Sequence, residues 1–205
     1  MGTNIESLSY LIQGLMNTED IGGDWIDRGR QIVPPGSDQL TGFLCEEGEA
    51  AVAALEGRFD PQVSTSFRRP NDIGLSVFET LMWGERNQIE EDFETFKNAI
   101  ESCAGKTYMT TELGQTELSI DDDPVLGTAM ISFRFGPPEG TLPTPWLEQR
   151  STMILLSDPN EPVALVVGIG ASVIHDEPDN GSSDLEQSEY ERIAKAAVDR
   201  ILEGL

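Results

Sequence analysis

Lysine is nearly missing from this chain. Only Lys97, Lys106 and Lys195 occur in 205 residues, and all 13 basic residues together face 37 Asp and Glu, for a formal net charge of -24. Such a field repels phosphate backbones and anionic lipid, which argues against nucleic-acid and membrane-surface roles. Histidine is rarer still, with His175 alone. A Ser-His-Asp or Cys-His arrangement would have to use it, yet no G-x-S-x-G elbow occurs, so nucleophilic catalysis has no support. Cysteine is limited to Cys45 and Cys103, too far apart for a C-x-x-C dithiol and too few for a disulfide scaffold. Long hydrophobic runs are missing as well: the most apolar stretch, Val163 to Ile174, is shorter than a spanning helix and carries two glycines. A basic n-region followed by an apolar h-region is absent from the start, so a signal peptide or lipid anchor would lie upstream of this sequence.

What is present reads as an ordinary globular domain. Hydrophobic residues make up 38% of the chain, enough for one core at this length, and residues 1–205 read as a single domain in which 1–7 are a leader or flexible start. Leu8, Leu11, Ile12 and Leu15 recur at helical spacing toward a turn at Gly22-Gly23. Arg30 to Phe43, rich in Pro, Gly and Ser, reads as an irregular connection. The Ala-rich EEGEAAVAALEG after Cys45 predicts a helix stopped by Gly57. Val63–Phe67 and Leu75–Trp83 alternate apolar and polar residues around Pro70-Asn71-Asp72, a β-hairpin signature.

Ile89, Phe93, Phe96, Ile100 and Cys103 then share one helical face, with Glu90, Glu91, Glu94, Lys97 and Glu101 opposite, and Gly105 as the stop. Strands are expected at Thr107–Thr111, Glu117–Ile120, Thr128–Phe135, Gln149–Ser157 and Val163–Val173. In the last, the VVGIGASV glycines suggest a tight or bulged strand. The chain closes on an amphipathic helix through Tyr190, Ile193, Ala197 and Ile201, with Ser188 and Glu191 fitting a capping box. The expected fold class is α+β, a central, largely antiparallel sheet flanked by amphipathic helices.

Few residues carry chemistry. HDEPD after His175 and the run Asp121-Asp122-Asp123 match neither calcium-loop nor zinc spacing and read as hydrated acidic loops, so no metal and no cofactor are expected. Aromatic and guanidinium groups on a sheet can line a cleft, which makes Trp83, Arg134, Trp146 and Arg150 the candidate ligand-binding residues. Core packing for the tryptophans and ion pairing for the arginines compete with that reading. No catalytic residue is assigned. The two cysteines have two readings from the residues alone, one bond joining two helices or two separate buried thiols.

Several segments together resemble a known family. LIQGLMNTEDIGGDW is similar to the "LL...DLP.GW" opening of many actinobacterial exported lipoproteins and of the extracellular sensor domains of PknH-like kinases. LSVFETLMWGERNQIEEDFETFKNAIESCAGKTY resembles that family's strand and helix closed by a paired cysteine, the place taken here by Cys103. RSTMILL, ALVVGIGASVI and ERIAKAAVDRIL resemble its late strands and terminal helix. The resemblance implies a Cys45–Cys103 disulfide and an extracytoplasmic location, secreted or lipid-anchored. It also implies a non-enzymatic binding or sensor-like role toward a small molecule or cell-envelope component. A likeness to the Mog1/PsbP type of domain implies the alternative, an accessory protein-interaction subunit of a surface or secretion complex with a protein partner.

Overall fold

The computed structural model describes residues 11–33, 44–53, 55, 62–70, 72–110, 114–138, 146–175 and 185–204. Among them are one eight-stranded antiparallel sheet and four helices. Leu11 to Gly14 are helical, followed by a short helix α1 at Thr18–Ile21. The Asn17 side chain caps α1 by accepting from the amides of Glu19 and Asp20, while Asp20 accepts from the Asn17 amide. Next come β1 (Ile26–Val33), α2 (Glu46–Ala53), β2 (Gln62–Arg69), β3 (Asp72–Glu85) and α3 (Arg86–Cys103). A run of hairpins follows, β4 (Thr107–Thr110), β5 (Gly114–Asp121), β6 (Ala129–Gly136), β7 (Trp146–Ser157) and β8 (Val163–His175), before the closing helix α4 (Gln187–Gly204).

The sheet order is β1-β2-β3-β8-β7-β6-β5-β4. Two meanders therefore meet at the long β3–β8 pair, which runs without a break from Leu75↔Val173 to Glu85↔Val163. Helix α3 makes the one long jump, carrying the chain from the middle of the sheet to its far edge. Alternation along each strand sends its apolar residues to two separate cores. On one face Leu75, Val77, Leu81, Val167 and Ile169 pack under Leu15, Met16, Ile21 and α4. On the other, Met82, Phe133, Phe135 and Val166 pack under Ile89, Phe93, Phe96 and Ile100 of α3. Each such side chain contributes about 1.5–3 kcal/mol on burial. The Ala104 backbone is extended, and Gly105, at φ +68°, turns the chain so that its amide donates to the Leu118 carbonyl at 2.9 Å. The α3 helix thus ends against β5.

Cys45 and Cys103 form a disulfide across 58 positions of sequence. It ties the entrance of α2 to the end of α3, and Gly48 makes room for it: a Cβ there would lie 2.6 Å from Cys103 Sγ.

Three expectations need correction. Arg30 to Val33 is not irregular but the second half of β1, paired with Thr65, Ser64, Val63 and Gln62; positions 34–43 lie outside the described residues. Ser188 is inside α4, which begins at Gln187, so it is not the capping residue. Strand β8 carries no bulge, because its register is unbroken on both sides. Its glycines instead make room for neighbouring side chains. A Cβ on Gly170 would fall 1.9 Å from Cζ of Phe78, the residue directly across from it, and one on Gly168 would meet Met153 Sδ at 3.0 Å.

Candidate functional site

Along β6 and β7 the face that packs toward α4 changes character. Deeper in the sheet it carries Met130 and Ile154, then the cross-strand pair Ser132 and Thr152, then the pair Arg134 and Arg150. Two arginines side by side on a sheet repel each other unless acids intervene. The acids come from the segment that leaves β5. Asp121 Oδ2 sits 2.9 Å from Arg134 Nε and 3.1 Å from Arg150 Nε, the second contact an ion pair whose angle falls short of a hydrogen bond. Both oxygens of Asp123 accept from Arg150 Nη2, at 2.9 and 2.8 Å. The acidic run is therefore not simply hydrated: Asp121 and Asp123 are half-buried partners of the arginines, and only Asp122 is exposed.

Helix α4 completes the cluster from above. Arg150 Nη1 donates to Gln187 Oε1, and Gln187 Nε2 donates to Asp123 Oδ1 at 2.8 Å and to Glu191 Oε1 at 2.6 Å. The Arg150 guanidinium also lies 4.2 Å from the centroid of the Tyr190 ring, a cation–π contact in a desolvated setting. Tyr190 is 1% exposed and its hydroxyl donates to the Ile169 carbonyl at 2.9 Å, with Thr152 Oγ1 3.0 Å away and Ser132 Oγ 2.8 Å beyond that. Burial pushes the Tyr190 phenol up, so the ring stays neutral. Burial also acts to raise the Asp123 carboxyl, but hydrogen bonds from Ser132, Arg150 and Gln187, together with the Arg150 charge, outweigh it and hold the group below its ordinary value. Asp123 is thus ionised at neutral pH.

Beside this clamp is a cavity of about 180 Å³. Thr152, Tyr190 and Ala194 form its floor, Leu126 and Met130 its wall, and Asp123, Glu191 and Lys195 stand at its mouth. The wall exists because the segment after Pro124 doubles back at Gly127. That residue, at φ +73°, passes so close to β7 that a Cβ would meet the Leu155 carbonyl at 2.5 Å.

Of the four residues singled out by sequence, the structure brings two together. Arg134 and Arg150 are neighbours, with their guanidinium groups taken up by Asp121, Asp123 and Gln187. Trp83, by contrast, is on β3, roughly 20 Å along the sheet at about 3.3 Å per residue, half-buried against the core under α4. Trp146 opens β7 opposite His175; the side chains of both lie outside the described residues. Positions 176–184, with the rest of the HDEPD segment, also lie outside them. Tyr190, Thr152 and Asp123 were not singled out for binding. Their signal was the polar alternation Ser132, Arg134 and Arg150, Thr152 on two strands otherwise apolar on that face.

Among the described residues no group of three or more His, Cys, Asp or Glu is placed to hold a metal ion, and no helix is long and apolar enough to cross a membrane. Comparisons with protein-family models, with curated proteins and with solved structures find no match.

Proposed function

We propose that this domain is a non-enzymatic binding or sensor-like module of an extracytoplasmic compartment, secreted or held at the envelope, which takes a small molecule or part of an envelope component into the cavity beside Tyr190. The observation that carries the reading is the cavity itself, concave, largely apolar and bordered by a few convergent polar groups. Its polar border is preorganised, since Arg150, Asp123 and Gln187 hold one another before any ligand arrives. The disulfide supports the location, because such bonds persist in oxidising compartments. The likeness to exported sensor domains points the same way.

Amide chemical-shift mapping against a library of small fragments tests the binding half. Shifts clustered on Thr152, Tyr190 and Ala194 support it, and shifts scattered over the surface count against it. Mass spectrometry of non-reduced protein from its native compartment tests the location, where two free thiols would sink the extracytoplasmic assignment.

A further inference from the structure

We infer that the cavity takes a small organic cation, an ammonium or quaternary ammonium group on an apolar body about the size of a benzene ring. The inference rests on the binding reading above and adds its chemistry. Size comes first: an apolar cavity of about 150 Å³ admits benzene, and this one, at about 180 Å³, leaves space for a short substituent. Its wall and floor, formed by Leu126, Met130, Ala194 and the Tyr190 ring, offer contact to an apolar body and little to a sugar or a peptide backbone.

Charge decides the substituent. An anion would need an available cation, and the three near the mouth are engaged. Arg134 is held by Asp121, and Arg150 by Asp121, Asp123, Gln187 and the Tyr190 ring. The Lys195 ammonium is drawn to Asp199 one turn along α4, at 2.5 Å. Acid, however, is in surplus. With Lys195 and its partner Asp199 included, Asp121, Asp122, Asp123, Glu191 and Asp199 stand against Arg134, Arg150 and Lys195, five acids to three bases, which leaves the patch at -2 in a chain of -24. Glu191 is half-buried at the mouth, and only its Oε1 is used, by Gln187. Among the described residues Oε2 has no partner. A cation seated at the mouth would meet that oxygen while remaining partly hydrated, so it gains attraction without the cost of a dry ion.

Titration of the intact chain with benzylammonium chloride, benzyl alcohol and sodium benzoate, read by amide shifts, tests this directly. At low salt benzylammonium is expected to bind roughly fivefold more tightly than the alcohol, and benzoate more weakly than either, with the gap closing as salt is added. Glu191→Gln is expected to bring benzylammonium to the level of the alcohol and leave the alcohol unchanged, and Glu191→Asp to keep the preference. Alcohol or benzoate binding as well as the ammonium, or an unaltered preference in Glu191→Gln, overturns the cation inference and leaves the cavity reading standing. No shift at Thr152, Tyr190 or Ala194 with any of the three probes overturns both.

Discussion

Glu79 is a carboxyl at the centre of the sheet, fully buried on β3 between Thr65 of β2 and Ile169 of β8. The Met16 amide donates to its Oε2 at 2.6 Å, and among the described residues Oε1 has no partner. Burial pushes the group up to about 8, with Asp20 raising it further and the Met16 amide, Arg200 and Arg30 opposing. Between its ordinary value near 4.5 and 8 the folded chain holds a proton that the unfolded chain releases. Glu79 therefore contributes stability that is complete below about 4.5 and is lost as pH rises through 8, with a slope of up to about 1.4 kcal/mol per pH unit. Apart from one histidine, no other side-chain type normally titrates between pH 6 and 8, since both cysteines are bonded. Urea unfolding at several pH values should show falling stability in the native chain and a nearly flat profile in Glu79→Gln. Equal slopes in the two proteins would refute the assignment. Arg150 makes the complementary case. Its side chain is 9% exposed, and its removal takes the counter-charge from Asp123, which keeps only neutral donors such as Gln187, while Asp121 retains Arg134; Arg150→Met should therefore cost about 3 kcal/mol. Arg134, 42% exposed, should cost less than about 1 kcal/mol as Arg134→Ala. Similar losses for both variants would mean that the clamp is not centred on Arg150.

The elements differ in how plainly the sequence announces them, and the reason is where each finds its stabilisation. Helix α3 and the β2–β3 hairpin were legible because their own apolar spacing matches the faces they bury. Strand β1 was not. Asp27, Arg28, Gly29 and Arg30 are poor strand formers, every residue but Val33 is exposed, and the strand exists by pairing with β2 across an irregular register at Asp27/Arg30. The clamp was half legible: the arginines stood out, but their partners arrive from the Asp121–Asp123 segment and from α4, sequence-distant elements that only the completed sheet brings together. The glycines of β8 show the same limit, since their causes lie one strand away, Met153 of β7 for Gly168 and the Phe78 ring of β3 for Gly170. That pairing gives a direct test. Gly170→Ala alone should destabilise by about 1–3 kcal/mol through overpacking. The double variant Phe78→Ala/Gly170→Ala should lose less than the sum of the two single changes, because the ring no longer meets the new methyl. Strict additivity in that cycle would break the link.

At the scale of the whole molecule, two opposing electrostatic effects set the response to salt. The ion pairs on the surface, among them Arg69–Glu189, Lys97–Glu101 and Lys106–Glu47, are weakened by screening, and each is worth at most about 1 kcal/mol. Against them stands the repulsion within a chain that holds 37 acidic and 13 basic residues. Even if every basic residue paired, 24 acidic charges would remain, so the folded state gains more from screening of like charges than it loses from screening of pairs. Sodium chloride, added from low concentration to about 0.15 M, where the screening length falls to about 8 Å, should therefore raise the melting temperature. The disulfide does not enter this balance, since its contribution of about 4 kcal/mol comes from restricting the unfolded chain and carries no charge. The rise should consequently persist, at a lower absolute temperature, in the Cys45→Ala/Cys103→Ala variant. A melting temperature that stays flat or falls over that range would show that the acidic residues are spaced widely enough for local pairing to govern stability.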